Sequence, residues 1–228
     1  MTAENVENIR KRIAAACARA NRNPEEITLV AVAKTFPAEQ IAEALDAGIA
    51  DIGENYVQEI REKREVLLDR TLRWHFVGHL QSNKVKYIAP WISWIHSVDS
   101  VSLGAEISKQ CERHSRRAAV LVEVNTTGEK SKFGVHPENA GELVARLKEF
   151  RGIDVKGLMT IGPFLPDPEA SRPAFRMLHE LRMKLSRGGP PLTECSMGMT
   201  NDFEIAIEEG ATLVRIGTAI FGKRSRRE

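Results

Sequence analysis

The sequence predicts an α/β fold, a single (β/α)8 TIM barrel with an extra N-terminal helix, and one domain over residues 1–228. Eight short apolar segments alternate with segments that have helical periodicity or helix-capping residues. No long gap interrupts this alternation, which indicates parallel strands and, for eight units, a closed barrel. A doubly wound open sheet is the alternative, but no Gly-x-Gly-x-x-Gly turn follows the first strand.

The first four units are predicted from apolar runs bounded by turn residues. An extra helix over 3–20 precedes them and ends at Asn23-Pro24. The units in order are strand 27–33 with a helix from Pro37 to Ala47 that ends at Gly48; strand 49–52 with a helix capped by Asn55 that carries Val57, Ile60 and Leu67; strand 73–77 with a helix that carries Val85 and Ile88 and ends at Pro90; and strand 93–98 with a helix capped by Ser100.

The second four units follow the same pattern. They are strand 119–124, a polar loop 125–134 and a helix that begins at Pro137; strand 153–159 and a helix that begins at Ser171 and Pro173; a break at 188–191, strand 192–196 and a helix 201–209 with Asn201 and Glu204 as a capping box; and strand 212–216 with a short helix that begins in the 218–221 turn. No internal repeat or linker divides the chain.

Composition excludes several classes of protein. The 33 basic and 31 acidic residues give a net charge of +2, which offers no electrostatic case for binding nucleic acid or an anionic membrane. The basic run at 223–227 is predicted to be a solvated tail. Cys17, Cys111 and Cys195 lack metal spacing and are predicted to be reduced core thiols. No segment reaches membrane-spanning length and no secretory signal is visible, so we expect a cytoplasmic protein.

Lys34 is the first candidate for chemistry. The apolar run Leu29–Ala33 is typical of a strand buried on both faces, and it leads directly into Lys34. A lysine at the end of a central strand is partly stripped of water, which favours its neutral amine and makes it a nucleophile for aldehydes. The alternative is a lysine that merely extends its ammonium group out of the strand end.

The active site of such a barrel lies at the C-terminal ends of its strands. This rule selects the residues at the eight strand ends: Lys34, Asn55, His75, His79, Ser97, Asp99, Asn125, Thr160, the segment 196–200 that includes Ser196 and Thr200, Arg215, and the pair Gly217-Thr218. Segment 196–200 leads into a helix N-terminus, where free N–H groups attract an anion, and Gly217-Thr218 offers a second approach. Ordinary helix capping is the alternative for each loop, but barrels often hold a phosphate between their last two loops.

A nucleophilic amine and a phosphate site in one barrel mouth suggest pyridoxal 5′-phosphate (PLP). Its aldehyde would bond Lys34, and its phosphate would lie near Thr200 and Gly217. Arg215 would then face the pyridine nitrogen and keep it unprotonated, since a guanidinium only donates hydrogen bonds. The alternative for Arg215 is a salt bridge inside the barrel. His75 and His79 are weaker candidates for a metal site, because no carboxylate or cysteine is spaced to join them.

Nine segments resemble the pyridoxal phosphate homeostasis protein family. They are VAVAKT (30–35), GENYVQE (53–59), WHFVGHLQSNK (74–84), HSVD (96–99), EVN (123–125), SKFG (131–134), GLM (157–159), SMGMT (196–200) and VRIGTAIFG (214–222). This family is similar to the barrel domain of bacterial alanine racemase standing alone. Two residues depart from the usual family pattern: Ala33 and Thr200 stand where serine is usual, and Thr200 keeps the hydroxyl.

The resemblance implies roles for the candidate residues. Lys34 is implied to be the Schiff-base lysine, Thr200 and Gly217 to hold phosphate, and Arg215 to face the pyridine nitrogen. Ser196 and Asn55 are implied to line the same pocket.

The resemblance also implies a carrier that buffers PLP, passes it to apoenzymes and supports vitamin B6 and amino-acid balance. The main alternative is a racemase-like enzyme, which needs a proton donor and acceptor on both faces of the ring. A cofactor-independent aldolase would need an acid–base carboxylate near the lysine. We favour the non-enzymatic carrier and expect a monomer.

Overall fold

The computed structural model describes residues 1–187 and 190–222 and consists of a closed barrel of parallel strands surrounded by helices. The strands are β1 (Thr28–Val32), β2 (Asp51–Glu54), β3 (Arg73–Phe76), β4 (Trp94–Val98), β5 (Ala118–Glu123), β6 (Ile153–Met159), β7 (Glu194–Ser196) and β8 (Leu213–Ile216). The α-helices are α1 (Thr2–Arg19), α2 (Ala38–Asp46), α3 (Val57–Val66), α4 (Val101–Glu112), α5 (Ala140–Lys148), α6 (Arg172–Leu185), α7 (Phe203–Glu208) and α8 (Thr218–Phe221).

The strands follow chain order around the barrel, and β8 closes the ring by pairing with β1. The predicted (β/α)8 barrel with an extra N-terminal helix is therefore confirmed. Strands β2 and β7 each begin two residues later than predicted. Residues 188–189 of the predicted break, and the predicted basic tail at 223–227, lie outside the described residues.

The third unit differs from its prediction. Strand β3 is followed by a 3₁₀ helix, Ser82–Tyr87, where an α-helix was expected. Val85 and Ile88 are both fully buried and lie three residues apart. This spacing fits a helix of three residues per turn as well as it fits an α-helix, so the apolar pattern could not distinguish them.

Two of the three predicted helix caps are wrong. The side chain of Asn55 does not cap α3, whose N-cap position is Tyr56. Helix α7 begins at Phe203, so Asn201 lies in the preceding turn and forms no capping box with Glu204. The third prediction is confirmed, because Ser100 Oγ accepts a hydrogen bond of 3.4 Å from the Leu103 N–H.

Helix α1 covers the place where the barrel closes. It packs against α2, α7 and α8, and its buried face includes Val6, Ile9, Ile13, Ala16 and Cys17. Asn5 adds a polar tie, since its Nδ2 donates to the Ile220 carbonyl of α8 at 2.8 Å. The extra helix thus joins the first and last strand–helix units of the chain.

The core contains the three cysteines that the sequence assigned to it. Cys17, Cys111 and Cys195 are free and buried, as predicted. Trp74 is buried as well and meets Trp91 edge-on, with ring centroids 6.4 Å apart. Among the described residues, no helix is long and apolar enough to cross a membrane.

Candidate functional site

A cavity of about 340 Å³ opens at the C-terminal ends of the strands. Its wall includes six of the seven residues predicted for the cofactor site, namely Lys34, Asn55, Thr200, Arg215, Gly217 and Thr218. An apolar side of the cavity is formed by Ile161, Pro163 and Phe164 after β6. Ser196 does not line the cavity; it is fully buried beneath Arg215. The structure therefore brings the predicted amine and both predicted phosphate loops into one space.

Lys34 stands in a tight turn just after β1. Its side chain is half-buried at the cavity wall, and the next residue, Thr35, has a φ of +69°. This left-handed conformation is unfavourable for a β-branched residue. The Thr35 N–H donates to Glu59 Oε2 of α3 at 2.7 Å, which helps to hold the turn in place.

A buried ion cluster lies behind this turn. The ammonium of Lys63 in α3 donates to the Ala33 carbonyl at 2.8 Å, to Glu54 Oε1 at 2.5 Å and to Glu59 Oε2 at 2.9 Å. Burial raises the pKa of Glu54 to about 7, although Lys63 acts in the opposite direction. The cluster ties β2 and α3 to the backbone that carries Lys34. Sequence reasoning missed it, although Glu59 and Lys63 show the four-residue spacing of a helical ion pair.

The two predicted phosphate loops meet at their tips. Thr218 Oγ1 lies 3.3 Å from Thr200 Oγ1. The N–H groups of Thr200, Asn201, Thr218 and Ala219 donate to no acceptor within residues 1–187 and 190–222. We call these four N–H groups and the two threonine hydroxyls the anion cradle, because such a cluster of free donors attracts an anion.

The turn before the cradle is less open than predicted. The Met197 N–H donates to the Leu213 carbonyl at 3.1 Å, and the Met199 N–H donates to Asp202 Oδ1 at 2.7 Å. Asp202 also accepts at Oδ2 from Ser171 Oγ at 2.9 Å. Both carboxylate oxygens of Asp202 therefore serve to shape the turn.

Arg215 forms the base of the cavity. Its Nη1 donates to Ser196 Oγ at 2.6 Å and its Nη2 donates to the Thr160 carbonyl at 2.8 Å. Burial lowers the pKa of Arg215 to about 10, while Glu123 and Asp202 act in the opposite direction at longer range. Arg215 thus stays a cation at neutral pH. The alternative prediction of a salt bridge is wrong for the described residues, in which Arg215 forms no ion pair.

The remaining candidates have distinct surroundings. Asn55 Oδ1 is buried and has no hydrogen-bond partner in the described part of the chain. His79 stacks on Phe133 with ring centroids 4.0 Å apart. His75 bonds to Asp51 and His96 in the barrel interior. Among the described residues no three His, Cys, Asp or Glu side chains come together as a metal site.

Comparisons with known proteins show the family of this chain. A family model described as "Alanine racemase, N-terminal domain" matches residues 5–225. A protein of Aquifex aeolicus named "Pyridoxal phosphate homeostasis protein" is 47% identical over 222 residues, which cover 97% of each chain. The chain belongs to the pyridoxal phosphate homeostasis protein family. The Escherichia coli K12 protein of the same name is 40% identical over 230 residues and covers 97% of this chain and 96% of the relative.

Two solved structures resemble this chain in fold. PipY of Synechococcus elongatus, described as having PLP bound, superposes with a TM-score of 0.85 at 32% identity, over 97% of this chain and all of PipY. Alanine racemase of Clostridium difficile gives a TM-score of 0.75 at 15% identity, over 95% of this chain but 56% of the racemase. The second likeness shows a shared barrel only.

Proposed function

We propose that this chain binds PLP and acts as a carrier and buffer of it. Members of its family are named for PLP homeostasis, and the PipY structure is described with PLP bound. The observation that carries the proposal is the presence of the Lys34 amine and the anion cradle in one cavity. The cavity volume of about 340 Å³ lies within the range of small-molecule sites.

The residues of the cavity fit PLP in chemical terms. The anion cradle supplies N–H and hydroxyl donors for a phosphate, and Arg215 supplies a donor for a ring nitrogen. Asn55 Oδ1 is a buried acceptor with no partner among the described residues, so a hydroxyl group of a ligand could satisfy it. When bound, PLP supplies an aldehyde that bonds reversibly to primary amines, and Lys34 is the amine that lines the cavity.

A carrier fits this site better than a racemase. Racemisation requires acid–base groups on both faces of the cofactor, and Lys34 serves one face. Asp202 is the one carboxylate on the cavity wall among the described residues, and both of its oxygens accept hydrogen bonds from the turn. This arrangement leaves no carboxylate placed as a second base, and it also disfavours an aldolase.

Borohydride reduction tests the proposal. We expect the purified protein to be yellow, and we expect reduction followed by peptide mapping to fix the cofactor on Lys34. Lys34→Ala should abolish the colour while circular dichroism still shows a folded barrel. Lys156→Ala is the matched control, because Lys156 pairs with Asp154 on the surface. A colourless protein that takes up no PLP contradicts the proposal.

Proton exchange separates the carrier from the racemase. We expect the loaded protein to exchange the α-proton of alanine in deuterated water far more slowly than an enzyme would. Exchange at enzyme-like rates, lost in Lys34→Ala, would establish the racemase instead.

We also propose that the carrier works as a cytoplasmic monomer and delivers PLP to apoenzymes. Sedimentation of the loaded protein measures its oligomeric state. Transfer of its PLP to an added PLP-dependent apoenzyme measures delivery. Reactivation of the apoenzyme faster than by the same concentration of free PLP would support delivery, and slower reactivation would leave the protein a buffer alone.

A further inference from the structure

A continuous series of hydrogen bonds between buried side chains crosses the barrel interior. Asp51 Oδ1 lies 2.8 Å from His75 Nε2, and His75 Nδ1 lies 2.9 Å from His96 Nε2. His96 Nδ1 in turn lies 2.9 Å from Ser196 Oγ, to which Arg215 Nη1 donates at 2.6 Å. Because β4 and β7 are not neighbours in the barrel, the bond from His96 to Ser196 must pass through its centre.

The series joins the two ends of the barrel. Asp51 and its partner Arg73 are the first residues of β2 and β3, and the Arg73 side chain is 57% exposed. Ser196 is the last residue of β7, and Arg215 lines the cavity at the opposite end. His75, His96 and Ser196 lie between these two ends, and all three are fully buried.

The two ends fix the direction of every hydrogen bond. An ionised carboxylate only accepts, and a guanidinium only donates. Burial acts to raise the pKa of Asp51, but hydrogen bonds from His75 and Arg73 outweigh it and the net shift is downward, so Asp51 is ionised at neutral pH.

Between these ends each neutral ring must donate from Nε2 and accept at Nδ1. Ser196 then donates to His96 and accepts from Arg215. Burial lowers the pKa of both histidines, that of His96 well below its ordinary value, which agrees with neutral rings. A proton added to either ring would instead reverse the bond between His96 and Ser196, and the Ser196 hydroxyl would then accept from both His96 and Arg215.

We propose that Asp51, His75, His96 and Ser196 are positioning residues for Arg215. They hold one edge of its guanidinium by hydrogen bonds inside the barrel and leave its other edge turned to the cavity. The Thr160 carbonyl completes the inward tie through Nη2 at 2.8 Å. The role toward a ligand rests on the proposed function, because the ligand that Arg215 meets there is the ring of PLP. The hydrogen-bond order itself rests on the protein alone.

Nitrogen-15 NMR of the ligand-free protein tests the order without any variant. We expect His75 and His96 both to be neutral with the proton on Nε2 at neutral pH. A proton on Nδ1 of either ring, or a charged ring, would overturn the proposal. This measurement decides the hydrogen-bond order even if the protein were to bind no PLP.

Ser196→Ala tests the coupling, because it cuts the series between His96 and Arg215. We expect the Nδ1 signal of His96 to move in the ligand-free variant, the absorption spectrum of bound PLP to change, and PLP affinity to fall about tenfold. Ser97→Ala is the matched control, since Ser97 is equally buried and its Oγ has no partner in the described chain. A Ser196→Ala protein with the His96 signal and PLP spectrum of the wild type would overturn the positioning role.

Discussion

Glu123 illustrates how a single buried carboxyl in the barrel mouth affects stability. It ends β5 and is 4% exposed. Burial and the nearby Asp99 raise its pKa to about 7, whereas Arg215 acts in the opposite direction. The folded state therefore holds a proton on Glu123 that the unfolded state releases above its ordinary pKa of 4.5. As a result, the Glu123 contribution to stability falls as pH rises from about 4.5 to about 7.

Glu123→Gln should remove this pH dependence. We expect the free energy of unfolding of the variant, measured with urea at a series of pH values, to rise relative to that of the wild type between about pH 4.5 and about pH 7. The gain should level off at about 3 kcal/mol at most. Glu138→Gln, at an exposed position, is the matched control. Parallel profiles for the wild type and Glu123→Gln would show that Glu123 ionises normally.

At the scale of single residues, the sequence predicted the site residues that follow from a general rule about barrels. Lys34, Arg215 and Thr200 follow from the position of barrel sites at strand ends, and the structure brings all three to one cavity. Their part in binding stays a prediction. The sequence did not predict the inward position of Ser196 or the ion pair of Lys63, because both depend on how neighbouring elements are placed.

The buried cluster of Lys63, Glu54 and Glu59 belongs to the scale of elements, because it ties α3 to β2 and to the turn after β1. Lys63→Met would leave the fully buried Glu54 without its cation. We expect a loss of about 3–5 kcal/mol in the free energy of unfolding, measured with urea, and weaker PLP binding as the turn loosens.

The double variant Glu54→Gln with Lys63→Met is the control for that loss. It removes the stranded charge as well as the cation, so it should recover part of the stability lost in the single variant. If the double variant were no more stable than Lys63→Met alone, the loss would come from packing and not from charge.

Gly78 sets the distance between the β3 exit and the β2 exit. A Cβ atom on Gly78 would lie 2.4 Å from the Asn55 carbonyl oxygen and 2.8 Å from Asn55 Cα. Because these atoms belong to the backbone, Gly78→Ala must displace the loop that carries Asn55. We expect a stability loss of about 1–3 kcal/mol and roughly tenfold weaker PLP binding in a cofactor titration.

Gly141→Ala is the comparison for Gly78→Ala. Its Cβ would meet only the flexible end of Leu185, at 3.1 Å, and alanine favours the helix. PLP affinity should be unchanged in this variant. Equal PLP affinities in the two glycine variants would show that the position of the Asn55 loop does not affect PLP binding.

The sequence predicted elements better than it predicted their ends. Strand β1 and helix α4 were predicted from a continuous apolar run and from the cap at Ser100. The predicted cap at Asn55 was wrong because the loop after β2 extends one residue further, to Tyr56. Residue types that favour caps also suit exposed loops and ligand sites, so composition alone cannot choose among them.

For the whole molecule, alternation of strands and helices predicted the closed barrel because eight units without gaps leave few other arrangements. The polar interior was not predicted. His75 follows Trp74 and His96 follows Ile95 in the sequence, and their partners Asp51 and Ser196 are distant in sequence. Only the closed ring brings these four side chains together.

The same closure links the N-terminal helix to the anion cradle. Asn5 of α1 donates to the Ile220 carbonyl of α8, and α8 begins at Thr218 of the cradle. Asn5→Ala removes that tie, so we expect the start of α8 to shift and PLP affinity to fall by up to about tenfold in a cofactor titration. Arg10→Ala is the matched control, because it removes one bond from α1 to the Gly48 carbonyl instead. Equal affinities in the two variants would mean that α1 supports the barrel without influencing the cradle.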